Sequence, residues 1–169
     1  MNNDLTRLPV LFVVLCAFQV FVLNHCQLFG CATPLFYVYY VLTMRKGMPR
    51  WGTLVLAFML GITLDIFDNT PGITAASLTL LAMCQPRLLE LFISREGEED
   101  LRPSILSLGL KPFFNYTLIS VLLYCSVYYT LELMSFLNWL KWTECVIGSS
   151  ILTVALIMAI ATLGKGKAK

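Results

Sequence analysis

Long apolar runs, broken only by short polar stretches, occupy the sequence from about residue 8 to residue 164. The longest polar interval, from about Ser94 to Pro112, is too short to fold as a domain of its own. A soluble body of 169 residues needs a hydrated shell, because surface is large relative to volume at this length. Twelve Lys and Arg with ten Asp and Glu, 13% of the chain, cannot supply one, against roughly 25% charged in an ordinary globular protein. A mean hydropathy of +0.77 matches hydrocarbon as solvent and argues against a water-soluble enzyme.

Hydropathy places candidate spans at 8–29, 31–44, 51–67, 72–93, 113–137 and 145–164. A helix needs about 20 apolar residues to cross a ~30 Å hydrocarbon core, with some tolerance for tilt. The runs are continuous rather than alternating, which argues for helices over a barrel, and a bilayer leaves no third option. The second run is short and carries Pro34. The expected fold is therefore a single all-α transmembrane domain over 1–169, a compact bundle of six helices, or of five if the second run is re-entrant.

Charge orients this bundle. With six spans and the N-terminus inside, every Lys and Arg except Lys141 falls on the cytosolic side, as the positive-inside rule demands. A five-span arrangement moves only Arg7. Everything from residue 45 onward is thus oriented, with a cytosolic C-terminus, while the first helix stays open. Trp51 at the cytosolic start of span three, and Trp139 and Trp142 at the outer end of span five, agree as interfacial anchors. Leu28-Phe29-Gly30-Cys31 faintly resembles a lipoprotein cleavage box. Polar Asn24-His25-Cys26-Gln27 separates it from the apolar run, so 8–29 reads as a retained helix.

Span three holds the most informative spacing. Thr53, Ala57, Gly61 and Asp65 recur every four residues and share one helix face. The three small residues permit a close helix approach, and Asp65 continues their row near the outer end. A carboxylate is costly in hydrocarbon, so facing a protein seam is cheaper than facing lipid. It reads either as a polar lock or recognition point, or as an interfacial residue reaching headgroups. Asp68-Asn69-Thr70-Pro71-Gly72 follows as a tight outer turn. Either Pro71-Gly72 forms the centre of a type II turn, or Thr70 caps span four with Pro71 as its first residue. Gly72 with Ala76, Ala75 with Thr79, Ser149 with Thr153 and Ala155 with Ala159 offer further small faces.

Chemical equipment is sparse. Cys16, Cys26, Cys31, Cys84, Cys125 and Cys145 form no CxxC pair, and His25 is the sole histidine, so no metal site and no nucleophile triad is expected. Asp65 and Asp68 straddle a helix end and make a poor intramembrane aspartyl pair; Glu132 is the plausible polar partner of Asp65. No phosphate-binding glycine loop and no basic stripe for nucleic acid is present, and no cofactor is expected. On the cytosolic side, Leu101, Ile105 and Leu108 recur at helical spacing after a charged run, with Pro103 suited to a first turn and Gly109 to a helix end. That stretch reads as a short amphipathic contact element or as a solvated connector. Lys165, Lys167 and Lys169 anchor the tail on anionic lipid.

Gly61-Ile62-Thr63-Leu64-Asp65-Ile66-Phe67-Asp68-Asn69-Thr70-Pro71-Gly72-Ile73-Thr74-Ala75-Ala76-Ser77 resembles the central signature of the rod shape-determining membrane protein family MreD, in its Bacteroidetes form. Gln85 to Phe92, Asp100 to Ser104 and Phe136 to Leu140 are similar to that family too, so the likeness covers about 61–144. It implies a bundle resembling the substrate-binding subunits of ECF-type vitamin importers. It further implies a non-enzymatic scaffold of the bacterial inner membrane. Its partners would be MreC, a RodA-type glycosyltransferase and a class B penicillin-binding transpeptidase, linked indirectly to MreB filaments. Gly61, Asp65 and the Asp68–Gly72 turn are the expected organising residues, with Arg102 and Pro103 as a weaker cytosolic contact. The competing expectation is a small-molecule transporter subunit, with Gln19, Asn24, Asp65 and Glu132 as the polar candidates for its pocket.

Overall fold

The computed structural model describes residues 2–21, 33–45, 47–92, 103–133 and 139–166. Every regular element among them is a helix: α1 (Asn2–Phe21), α2 (Val38–Leu42), α3 (Arg50–Asp68), α4 (Ile73–Glu90), α5 (Ile105–Leu108), α6 (Leu110–Leu133) and α7 (Trp139–Gly166). The four-residue turn after Asp68 folds α4 back along α3, and this hairpin is the most extensive helix contact. α6 and α7 form a second pair, with Tyr129 meeting Ser149 and Thr130 meeting Trp142. α4 packs on α6 to join the two pairs, and α1 lies on α3. Residues 33–44, including α2, run through the middle, against α1, α3, α4 and α6.

Three helices are long and apolar enough to cross a bilayer: α3 with 19 residues, α6 with 24 and α7 with 25 over Trp139–Leu163. The chain is therefore an all-helical membrane protein. Its outer surface fits that solvent, since Phe58, Ile66, Phe67, Ile147 and Ile151 all point outward. Three hydroxyls on α3 and α6 bond their own helix backbone. Thr63, Ser126 and Thr130 each donate to the carbonyl four residues earlier, which removes an unpaired polar group from lipid.

The count of six spanning helices is not matched among the described residues. Only Leu8–Phe21 of α1 forms an apolar stretch, shorter than a span, and the rest of 8–29 lies outside the described residues. α4 has 18 residues, and Gln85, Pro86, Arg87 and Glu90 dilute its last turns. Within 31–44, hydropathy registers an apolar composition, yet of the described residues 33–44 only the five of α2 are helical, so the run is not a spanning helix there. α6 starts at Leu110 rather than 113, and α7 at Trp139 rather than 145. Hydropathy stops a span where Lys111, Lys141 or Glu144 appears, whereas a helix continues into the headgroup layer.

The four-residue row on α3 does face protein. Thr53, Ala57, Gly61 and Asp65 are all buried, and the hairpin closes tightest at Gly61. A Cβ built there would lie 2.3 Å from Ala75 Cα and 2.7 Å from its nitrogen. The backbones of α3 and α4 touch at a point where only glycine fits. On α4, Ala75 is buried while Gly72 and Ala76 are exposed; on α7, Ser149 and Thr153 are buried while Ala155 and Ala159 face outward.

Replacing Gly61 by Ala is expected to destabilise the protein by about 1–3 kcal/mol through overpacking against backbone, read as a lower unfolding temperature in detergent. Gly52→Ala is the control. The nearest atom there is Pro49 Cγ at 3.5 Å, so the substitution should leave stability unchanged or raise it slightly.

Candidate functional site

The hairpin corner is built around one carboxylate. α3 ends on Asn69 in the left-handed region, φ 57° and ψ 31°, a conformation Asn tolerates better than most residues. The Thr70 N–H reaches back to the Asp65 carbonyl at 3.1 Å, the six-to-one bond of a Schellman ending. Pro71 follows, and Gly72 takes φ 82° and ψ 2°, the values of the third residue of a type II turn. The cap position of α4 is thus Gly72, and Thr70 is not the cap of α4. Gly72 has no side chain with which to perform that role.

Asp65 supplies the missing cap from the neighbouring helix. Its Oδ1 accepts the Thr74 N–H at 2.9 Å, and its Oδ2 accepts the Ala75 N–H at 3.0 Å. The Thr70 hydroxyl donates to Oδ1 at 3.0 Å. A carboxylate here sits at the positive end of the α4 dipole and satisfies two of its orphan donors. Asp65 is only 7% exposed, so these charge-assisted bonds offset its removal from water. Gly61 and Asp65, one turn apart, both act on Ala75, the first by yielding space and the second by holding its N–H.

The other sequence-predicted residues separate into distinct places. Asp68 is half-buried, while Asn69, Pro71 and Gly72 are exposed at the tip. Glu132 is exposed, and the Asp65 oxygens are engaged by Thr70, Thr74 and Ala75, so Glu132 is not what satisfies Asp65. Both acids, with Asp68, lie within electrostatic reach of Tyr128 on α6. Pro103 is buried and stands just before the Ser104 cap rather than in the first helical turn. Ser104 and Ser107 cap each other reciprocally, and α5 is a single turn ending at Gly109, packed by the buried Ile105. Arg102, Leu101 and Asn24 lie outside the described residues. No three His, Cys, Asp or Glu side chains gather among the described residues.

A second constellation escaped the sequence reading. Residues 33–37 precede α2 yet sit inside the bundle: Leu35, Phe36 and Tyr37 are at most 6% exposed. Irregular backbone at membrane depth persists only where protein satisfies it, and here a collar of side chains does so. Gln19 donates to the Pro34 carbonyl at 3.1 Å and accepts the Phe36 N–H at 3.2 Å. Ser149 accepts the Thr33 N–H at 3.2 Å, and Thr153 accepts the Leu35 N–H at 3.0 Å. Tyr37 and Tyr124 share a hydroxyl hydrogen bond of 2.7 Å. At the far end Gln85 donates to the Met44 carbonyl and Tyr116 to that of Leu42. Tyr129, level with Thr33, and Tyr116, level with Leu42, stand thirteen residues apart on α6, about 20 Å at 1.5 Å per residue. The segment thus traverses most of the bundle. The signals that could have revealed it are Pro34 inside a short run and polar Gln19, Gln85, Ser149 and Thr153 inside apolar ones.

Fold and corner together define a polytopic helical membrane protein organised by a carboxylate-capped hairpin. Comparison with protein-family models, with curated proteins and with solved structures finds no match to this chain.

Asp65→Ala should cost about 2–4 kcal/mol, because it leaves two buried N–H groups without acceptors; Asp65→Asn, which retains one acceptor oxygen, should cost about half of that. Thermal unfolding in detergent measures both. Gln19→Leu, close in volume, should lower stability by about 1–3 kcal/mol by orphaning the Pro34 carbonyl and the Phe36 N–H, whereas Gln19→Glu should retain the acceptor half of the clamp.

Proposed function

We propose that the chain is a non-enzymatic scaffold of the bacterial inner membrane that docks a partner's transmembrane helix and helps position peptidoglycan synthesis during cell elongation, in the manner of the MreD family. The observation that carries this reading is a coincidence of two kinds of evidence on one segment. Gly61 to Ser77 is the stretch that resembles the MreD signature, and its distinctive residues each have a geometric task at the α3–α4 corner. Gly61 lets the helices touch, Asp65 caps α4, Asn69 ends α3 and Gly72 turns the chain. A signature made of such residues specifies a rigid shape more directly than a reaction, which favours holding neighbours over chemistry. The MreC-type single-span protein is the proposed direct partner, and the glycosyltransferase and transpeptidase are the enzymes it would serve.

The transporter alternative draws less support. Of its polar candidates, Gln19 is engaged with the backbone of 34–36 and Asp65 with the start of α4. Glu132 is exposed on the outer surface of α6.

The scaffold reading is tested by expressing Asp65→Asn and Asp65→Ala at the normal level. Reduced co-purification with the MreC-type partner and rounded cells are expected, with the alanine variant the more severe. Unchanged capture and unchanged cell shape at equal protein levels would refute the assignment of this corner. Saturable thermal stabilisation of the purified protein by a vitamin-sized ligand would replace the scaffold reading with transport.

A further inference from the structure

Residues 33–37 pose a problem that they cannot solve locally. Pro34 has no N–H, and the N–H groups of Thr33, Leu35 and Phe36 are each accepted by a side chain of another helix. Two of the three are accepted by hydroxyls of α7, Ser149 and Thr153, 116 and 118 residues further along the chain. The two accepting hydroxyls are four residues apart on one face of α7, and the N–H groups they accept are two residues apart on the segment. α7 carries a template for this piece of backbone.

We propose that α7 acts as a latch for residues 33–44. The segment occupies the interior of the bundle only on a docked α7 presenting both hydroxyls, and without them it leaves the bundle while the α3–α4 hairpin stays closed. The apolar side chains of the segment favour burial, but burial without acceptors for the Thr33 and Leu35 N–H groups is penalised in a medium that offers no water. The hairpin holds itself through Gly61, Ala75 and Asp65 and accepts neither the Thr33 nor the Leu35 N–H; its hydrogen bond to the segment, from Gln85 to the Met44 carbonyl, lies at the far end. Seating of the segment and closure of the hairpin are therefore separable, and Ser149 and Thr153 are positioning residues for the first alone.

The test uses the full-length chain in native membrane vesicles and a membrane-impermeant maleimide applied to both faces. In a chain whose six native cysteines are replaced by alanine, Val38→Cys reports on the segment and Ala57→Cys on the hairpin seam; both positions are fully buried. With the native hydroxyls, both reporters stay protected. In the Ser149→Ala, Thr153→Val background, labelling at position 38 should rise at least about tenfold, the factor set by loss of one or two acceptors for buried donors, while position 57 stays protected. The Ser149→Thr, Thr153→Ser pair, which retains both hydroxyls, should restore protection. Continued protection of position 38 without the hydroxyls would overturn the latch. So would simultaneous exposure of positions 38 and 57, since the segment would then open only with the whole bundle.

Discussion

A backbone N–H or C=O in hydrocarbon must find its partner within the protein, and each failure costs several kcal/mol. Regular helices meet this demand by themselves along their length, so the long apolar helices of this chain need little comment. The demand becomes acute where regularity stops. Two such places determine the architecture: the start of α4, with its orphan N–H groups, and residues 33–37, ahead of α2. Both are resolved by a polar side chain reaching across from another element, and in both the polar residue would be a liability anywhere else in the bundle.

The two solutions differ in how local they are, and the difference has consequences for folding. Asp65 lies nine residues before Thr74 and ten before Ala75, so the hairpin contains everything needed to close itself. Ordering it costs little loop entropy, because the connecting turn is short. The central segment draws on Gln19 before it and on Gln85, Tyr116, Ser149 and Thr153 far behind it. Its seating requires that most of the bundle be present first. One device is local in sequence and the other long-range, and the same chemistry serves both.

This contrast also governs what could be read from the residues alone. The row Thr53, Ala57, Gly61 and Asp65 was legible because four-residue periodicity puts neighbours in sequence onto one face, and three small residues beside a carboxylate leave few alternatives. The turn after Asp68 was legible as a turn, although choosing between its two forms required the backbone angles of Gly72. The direction of Asp65 was half-legible. A protein seam was favoured over lipid, but its partners are backbone groups, which no residue pattern reveals, and Glu132 had the more obvious chemistry. The broken path of 33–44 was legible only as an alternative, a re-entrant second run. Hydropathy sums composition over a window and is blind to whether the backbone inside it is helical, and the only local warnings were brevity and Pro34. The collar residues were individually visible as polar points in apolar runs, yet nothing in their spacing ties Gln19 to Thr153.

Such a design bears on what kind of work the chain can do. Several deeply placed polar groups are committed to other protein groups, Gln19 to 34–36, Asp65 to α4, Tyr37 to Tyr124 and Tyr129 to Ser149, whereas the buried hydroxyls of Tyr40, Thr74, Thr117 and Ser120 have no hydrogen-bond partner among the described residues. Substrate chemistry needs groups whose partners change during a cycle, whereas a surface that positions another helix needs groups that hold one shape. In hydrocarbon there is no hydrophobic force between helices, so association depends on close shape matching, and shape matching depends on backbones that do not shift. The Gly61–Ala75 contact and the Asp65 cap fix the α3–α4 pair at one end as a single rigid unit, and the outward-facing side chains Ile66, Phe67 and Ala76 ride on that unit. Loosening the corner therefore alters the surface that α3 and α4 present together, because Ile66, Phe67 and Ala76 are carried by the same closed hairpin.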